Sequence, residues 1–271
     1  MSSEVETSRF APFKAIPRGA STSPGMRIFA ALEVYHDHTP HSAAMNMAID
    51  EAQLEYVTIP LIRFYRWQSP ALSFGYFGRF TDVARYQCER DLVRRWTGGG
   101  IVFHGEDLTY SLAIPTSDTA FAELSISIYE KIHRALRDAL SETGQRAVLV
   151  TGVGSSAVAL AKADDPGPGS TPVAVRTGIS DASYSCFANP VRADVMIDGR
   201  KIAGAAQRRT RCGLLQQGSI QGIELGNSLT EQFAQALSTN CRERKVDEQI
   251  LNRARELAEQ KYGTERWLRK R

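Results

Sequence analysis

Residues 94–104 read RRWTGGGIVFH. Three consecutive glycines stand here between two hydrophobic runs, which predicts two strands joined by a glycine turn. Because glycine has no Cβ, the backbone N–H groups of such a turn can approach an anion or a carbonyl oxygen closely. Residues 199–204 read GRKIAG and add a lysine and two more glycines far downstream. We interpret the two blocks as parts of one ligand site.

The glycine triplet does not match the common phosphate loops, because it lacks both the Gly-Lys-Ser/Thr ending and the G-x-G-x-x-G spacing. A tight hairpin that needs glycine for structure alone is an equally good explanation. Neighbouring strand residues point to opposite faces, so we expect Arg95 to face the site and Arg94 to lie on the surface. His104 is either a hydrogen-bonded structural residue or, as we favour, a pocket residue that bonds a substrate or backbone carbonyl.

The composition is that of an ordinary globular chain. Of 271 residues, 42% are hydrophobic and 23% are charged. A net charge of +3 is too small to indicate nucleic-acid binding. No apolar run approaches the ~20 residues that a membrane helix needs. The four cysteines form no C-x-x-C pair, which argues against a metal site and favours a reducing, cytoplasmic location.

The organisation predicted from these patterns is a flexible N-terminal arm over residues 1–26 and a single catalytic domain over residues 27–271. Grouped strands separated by a long helix favour an α/β (α+β) fold with a mixed or antiparallel sheet and packed helices. The predicted elements are helices at 42–56, 121–143 and within 228–271, a hairpin of 61–67 with 71–76, a meander of 193–197, 201–205 and 214–220, and a mobile loop at 163–183.

Cys186 and Lys201 are the candidate reactive pair. A thiol attacks as its thiolate, which a nearby cation stabilises. Cys186 follows the predicted loop, and the turn pair Asp198-Gly199 would fold the chain back so that Lys201 lies beside the sulfur. A buried structural cysteine and a solvated lysine at a strand edge remain open as alternatives.

Seven short blocks then show a resemblance. They are NMAIDE (46–51), IRFYRW (62–67), LSFGY (72–76), RRWTGGG (94–100) with His104, DLTYS (107–111), KIAGAAQ (201–207) and QGSI (217–220). In order and content they resemble the lipoate–protein ligase and octanoyltransferase family, which shares its catalytic fold with biotin–protein ligases. The resemblance runs from about residue 28 to the C-terminal end, and several ordered motifs together are far more specific than one.

The resemblance implies a pocket for an octanoyl or lipoyl chain between the glycine triplet and the Lys201 strand. It implies Cys186 and Lys201 as catalytic residues, since SCFANP at 185–190 is similar to the segment around the reactive cysteine of cysteine-using octanoyltransferases. Its motif positions give the expected substrate-binding residues, which are Arg95, Gly98, Gly99, Gly100, His104, Tyr110 and Gly204. No metal ligand is expected. Gly100 departs from this group, which tends to have arginine there, and is closer to the ligases.

The activity that the resemblance favours is transfer of an octanoyl (or lipoyl) group from acyl carrier protein to a lysine of a lipoyl domain, through a cysteine thioester. The acceptors would be the glycine cleavage H protein or E2 subunits, and no cofactor would be required. The alternatives are an ATP- and Mg-dependent lipoate ligase acting through lipoyl-adenylate, an amidotransferase between lipoyl domains, and a binder without catalysis. From the chain length we expect no accessory domain of the ligase type. We expect a cytoplasmic monomer that contacts neither nucleic acid nor membrane.

Overall fold

A computed structural model describes residues 27–151, 190–224, 226 and 228–270. The predicted arm (1–26), the predicted loop (163–183) and Cys186 therefore lie outside the described residues. The strands in the described ranges are β1 Leu32–His36, β2 Leu61–Tyr65, β3 Ala71–Phe74, β4 Asp91–Arg94, β5 Ile101–His104, β6 Leu108–Pro115, β7 Ala147–Leu149, β8 Val195–Ile197, β9 Arg200–Arg209, β10 Gly213–Ile220 and β11 Cys241–Glu243. The helices there are α1 Ala43–Tyr56, α2 Ser125–Glu142, α3 Leu229–Leu237, α4 Glu248–Leu257 and α5 Glu265–Leu268, with a π-helical turn Ala258–Tyr262 after α4.

The larger sheet has the strand order β11-β1-β2-β6-β10-β9-β8-β7. β1 runs parallel to β11 and β2, and the remaining neighbours are antiparallel. All eight residues of β6 and of β10 are buried, so these two strands form the middle of the sheet. The expected mixed sheet with packed helices is thus confirmed.

Helices cover both faces of this sheet. On one face, α2 and α3 pack their apolar side chains against alternate residues of β2 and β6. Ile128, Ile132 and Leu136 of α2 are fully buried, as the spacing of four residues predicts. On the other face, α1 packs against α4 in a second apolar cluster. α1 begins after Ser42, which is where the sequence predicts the helix to start. Ser42 Oγ accepts the N–H of Met45 and so caps the helix.

A smaller sheet has the order β4-β3-β5, with β3 parallel to β4 and antiparallel to β5. The predicted hairpin of 61–67 with 71–76 is therefore wrong: β2 lies in the larger sheet and β3 in the smaller one. Both strands are buried along their whole length. Local apolarity predicts a buried strand, but it does not determine which strand is its partner.

The predicted meander is confirmed, since β8, β9 and β10 are successive antiparallel neighbours. Asp198 and Gly199 turn the chain between β8 and β9 with φ values of 48° and 75°, which is the left-handed geometry of a two-residue hairpin. The C-terminal part contains the expected helices and also β11, which the sequence pattern did not indicate. No helix in the described ranges has the length and apolar character needed to span a bilayer.

Candidate active site

A small cavity of about 40 Å³, open to solvent, lies where the larger sheet faces the smaller one. Apolar side chains form one part of its wall, namely Met47 of α1, Tyr65 of β2, Trp67 just after β2 and Val102 of β5. Residues with little or no side chain form another part, namely Gly204, Ala205, Ala206 and Gly218. Most of the surface that lines the cavity is apolar, which suits an aliphatic chain.

Residues 98–100, the glycine loop, close one side of the cavity. Gly99 has φ of 87°, a conformation that glycine adopts without strain. A Cβ at Gly75 would lie 2.1 Å from the carbonyl oxygen of Gly99. Only glycine at position 75, just after β3, therefore allows the chain to pass this close to the glycine loop. The strands on either side of the loop, β4 and β5, both pair with β3, which lies between them. The loop is therefore a connection across β3 and not a tight hairpin.

Arg95 holds the glycine loop from inside. Its side chain is buried and lines the cavity, on the side that strand alternation predicts. Nη2 donates to the carbonyl oxygens of Gly98 (3.0 Å) and Gly100 (2.8 Å), and Nη1 donates to Ser73 Oγ (2.7 Å). Because the guanidinium is planar and rigid, these bonds determine where the loop's carbonyls point.

Arg94 is not a surface residue, so that expectation was wrong. Its side chain is fully buried, and its guanidinium donates to five backbone carbonyls. These belong to Tyr76, Gly78, Trp267, Leu268 and Lys270. Alternation correctly places the two arginines on opposite faces, but the second face is covered by the C-terminal helix and is not open to water.

His104 is buried with both ring nitrogens bonded within the protein. Nδ1 lies 2.8 Å from Asp107 Oδ2 and Nε2 lies 2.6 Å from Ser73 Oγ. Burial lowers the pKa of His104 and outweighs the carboxylate, which raises it, so the ring is neutral. The partners assign Nδ1 as the donor to Asp107 and Nε2 as the acceptor from Ser73. The ring also stacks on Trp67 at 4.0 Å. His104 lines the cavity, and this chain of hydrogen bonds orients it.

Lys201 lies against Gly204 on β9. A Cβ at Gly204 would be 2.6 Å from Cε and 2.7 Å from Nζ of Lys201, so the bare glycine leaves the space that the lysine side chain occupies. Nζ lies 2.7 Å from Asp194 Oδ2, and both side chains are almost completely buried. Since Gly204 lines the cavity, an ammonium group lies directly beside its wall.

The comparisons with known proteins agree with this geometry. A family described as "Lipoyl protein ligase A/B catalytic domain" matches residues 42–261. The chain belongs to this family.

The chain is similar to named relatives in sequence and to solved structures in fold. A protein named Octanoyltransferase LipM from Oceanobacillus iheyensis is 34% identical over 197 residues, covering 68% of this chain and 62% of the relative. The matched region is thus less than two thirds of that relative's length. A lipoate-protein ligase A solved with ATP has a TM-score of 0.62 at 22% identity, covering 89% of this chain and 98% of its own. A putative lipoate protein ligase from T. acidophilum with bound lipoic acid gives 0.62 at 21%, covering 88% and 98%. At these identities the two structures show the fold alone.

In this lipoyl ligase A/B domain, one predicted substrate-binding residue lies away from the cavity. Tyr110 belongs to the core on the opposite face of β6, where its side chain is fully buried. Its hydroxyl accepts from Gln216 Nε2 (3.0 Å) and lies 3.2 Å from His133 Nε2. A Cβ at Gly218 would lie 2.3 Å from the Tyr110 ring, so Tyr110 supports the cavity wall from behind.

The other predictions for the domain's site fall into two groups. Arg95, Gly99, His104 and Gly204 line the cavity, and Gly98 and Gly100 belong to the loop that Arg95 holds. Cys186 lies outside the described residues, so its distance from Lys201 remains a prediction. Of the described cysteines, Cys88 and Cys212 are exposed and Cys241 is half-buried. Within the described ranges, no three His, Cys, Asp or Glu side chains are grouped so as to hold a metal ion.

Ser73, Asp107 and Asp194 are among the polar residues of this site that sequence reasoning missed. Two of them had a signal. Asp107 follows His104 by three residues, a distance that a tight turn bridges. The Asp198-Gly199 hairpin pairs Met196 with Lys201, which makes Asp194 a diagonal neighbour of Lys201 on the same face. Ser73 had no such signal, because its contact with His104 depends on the pairing of β3 with β5.

Proposed function

We propose that this protein transfers an octanoyl (or lipoyl) group from acyl carrier protein to a lysine of a lipoyl domain, through a thioester on Cys186. The observation that carries the proposal is the apolar cavity between the glycine loop and β9, with the Lys201 ammonium against its wall at Gly204. A slot for an aliphatic chain beside a buried cation is what acyl transfer to and from a thiolate requires. The relative named Octanoyltransferase LipM supports the same activity.

The reaction has two balanced steps. The Cys186 thiolate attacks the carbonyl carbon of the octanoyl thioester, the carrier's C–S bond breaks, and the carrier thiol leaves after taking up a proton. The ε-amine of the acceptor lysine then attacks the acyl-enzyme, an amide forms, the amine loses a proton and the Cys186 thiolate is restored. The Lys201 ammonium and the N–H groups of the glycine loop would stabilise the oxyanion in both steps. Loss of one such donor typically costs about 10²–10³-fold in rate.

The partners and conditions follow from this chemistry. The donor is acyl carrier protein, and the acceptors are lipoyl domains such as the glycine cleavage H protein and E2 subunits. A thioester is already activated, so neither ATP nor a metal ion is required. We expect a cytoplasmic monomer, as the isolated cysteines indicate, without affinity for nucleic acid or membrane.

Intact-mass measurement after mixing with octanoyl–acyl carrier protein tests the thioester. The wild type is expected to gain one octanoyl group, and Cys186→Ala none. Cys212→Ala, which removes an exposed thiol, is the matched control and should be labelled like the wild type. An unlabelled wild type, or equal labelling of Cys186→Ala, contradicts the proposal. Supplying the octanoyl group on a lipoyl domain as the donor distinguishes an amidotransferase.

A second candidate is ATP-dependent lipoate ligation, and Arg208 favours it. Its guanidinium lies 4.8 Å from the ring centroid of Tyr76 and 4.7 Å from that of Trp96, and Nη1 donates to the Trp96 carbonyl (3.1 Å) just before the glycine loop. An arginine at this place suits a phosphate group. Under this candidate ATP supplies an adenylate as leaving group, and Arg208 would bind its phosphate. Lipoate-dependent release of pyrophosphate from ATP that persists in Cys186→Ser would favour the ligase over the transferase.

A further inference from the structure

The pair of Lys201 and Asp194 is unusual for its burial. The exposed fractions of the two side chains are 2% and 0%, and the distance from Nζ to Oδ2 is 2.7 Å. Taking two charges out of water is costly, and apolar residues of similar volume usually stabilise a fold as well or better. The need for a stable fold therefore does not explain why a carboxylate and an ammonium are placed here.

The carboxylate is itself fixed by α2 and by the local backbone. The Tyr129 hydroxyl donates to Asp194 Oδ1 (2.6 Å) and accepts the N–H of Ala205 (3.1 Å). The N–H of Val191 donates to Oδ2 (2.7 Å). Both carboxylate oxygens therefore have fixed donors besides the lysine, so the carboxylate has one orientation.

The residue before Asp194 is strained. Ala193 has φ of 67°, in the left-handed region that alanine seldom adopts, and its side chain is buried. Its carbonyl lies 2.7 Å from Nδ1 of His133, one turn after Tyr129 on α2. Such strain persists only where the surroundings require the conformation. Here the conformation directs Asp194 toward Lys201.

We propose that Asp194 is a positioning residue for Lys201. Its carboxylate holds the ammonium against Gly204 at the cavity wall, and Tyr129 holds the carboxylate. The proposal rests on the proposed function for its purpose, since a fixed ammonium there serves the cysteine thiolate and the oxyanion. The physical claim that Asp194 holds Lys201 in place can be tested without any acyl donor.

Pulse labelling with a water-soluble amine-acylating reagent, read by peptide mass spectrometry, measures the accessibility of Lys201. In Asp194→Asn the isosteric amide preserves the shape but removes the charge. An ammonium is costly in a buried site that lacks this carboxylate, so it moves toward solvent and its labelling rises several-fold. Asp198→Asn is the matched control, because it makes the same change at the exposed turn of the same hairpin. Equal labelling of Lys201 in wild type, Asp194→Asn and Asp198→Asn overturns the proposal.

Tyr129→Phe keeps the test decisive if Asp194→Asn fails to fold, as judged by its melting curve. This variant retains the ion pair but removes the hydrogen bond to Oδ1 and the acceptor for the Ala205 N–H. Labelling of Lys201 should rise to a smaller extent than in Asp194→Asn. If Asp194→Asn is unfolded and Tyr129→Phe labels like the wild type, the proposal is overturned.

The transfer assay separates this inference from the proposed function. Asp194→Asn should lower kcat by about 10²-fold, as misplacement of a catalytic group does, with the donor KM nearly unchanged because the cavity wall is intact. A folded Asp194→Asn with wild-type kcat would overturn the positioning role. If the wild type transfers no octanoyl group, the proposed function is contradicted. The labelling result still decides whether Asp194 holds Lys201.

Discussion

Gly204 leaves the space that the side chain of Lys201 occupies, so a substitution there tests both the packing and the proposed chemistry. In Gly204→Ala the new methyl would lie 2.6 Å from Lys201 Cε and 3.2 Å from Asp194 Oδ1, so the lysine must move. Because moving the lysine disrupts its buried ion pair with Asp194, we expect the melting temperature to fall as well, so the rate is compared at a temperature at which the variant is folded. The rate of octanoyl transfer should fall by about 10²-fold. Gly105→Ala, where a Cβ meets nothing within 4 Å, is the control. A Gly204→Ala enzyme with wild-type rate would contradict this reading.

At this scale the sequence was informative where a residue's role depends on its near neighbours. Arg95 and Arg94 could be placed on opposite faces because strand alternation is local. What lies on each face depends on contacts far along the chain: Arg94 binds carbonyls more than 170 residues away, such as that of Lys270. Tyr110 was placed in the pocket through its motif. The structure puts it behind the wall, because β6 is covered on both faces and its alternate residues serve different sides.

The attachment of the C-terminal helix to the smaller sheet is decided at the element scale. Arg94 binds the last carbonyls of this segment, and Trp267 Nε1 donates back to the Arg94 carbonyl (2.9 Å). Arg94→Lys keeps the charge, but an ammonium has three donors and cannot replace the planar fork. Several of these partly buried carbonyls would lose their partners, which destabilises the attachment, by less than the about 1–3 kcal/mol that a fully buried unpaired group costs.

Hydrogen exchange of residues 264–270 checks this attachment. In Arg94→Lys these amides should exchange faster than in the wild type, while the amides of β6 and β10 change much less. Arg79→Lys is the matched control, since the Arg79 side chain is 80% exposed. Unchanged exchange in this segment would show that Arg94 does not hold the helix to the sheet.

Elements were predictable where periodicity and turn residues suffice, and not where pairing is long-range. The spacing of Ile128, Ile132 and Leu136 gave α2, and Asp198-Gly199 gave the β8–β9 turn. β11 has three residues, two of them exposed, so it has no periodic signal of its own, and its strand character comes from pairing with β1. The predicted hairpin of β2 with β3 was wrong for the same reason, because the partner of a strand depends on contacts that the local pattern does not contain.

For the whole molecule, buried titratable groups make the fold sensitive to acid, and Asp37 and His133 are two of them. Burial alone would raise the pKa of Asp37, but hydrogen bonds from His41 and Arg63 and their positive charges lower it to about 2. Burial lowers the pKa of His133 to about 4, against the hydrogen bond to the Ala193 carbonyl. In both cases the unfolded chain takes up a proton at a higher pH than the folded chain, so lowering the pH favours unfolding.

The free energy of unfolding should therefore fall in two stages on acidification. As the pH drops from 6.5 to about 4, His133 protonates only in the unfolded chain, which costs about 3 kcal/mol. Below pH 3.8 Asp37 adds about 2 kcal/mol as the pH approaches 2. Urea unfolding at a series of pH values measures both stages. His133→Asn keeps a donor for the Ala193 carbonyl but cannot titrate, so it should make the first stage smaller and leave the part that the buried His104 contributes. His38→Asn, at an exposed site, should leave the first stage unchanged. A first stage as large in His133→Asn as in the wild type would show that His133 does not contribute to it.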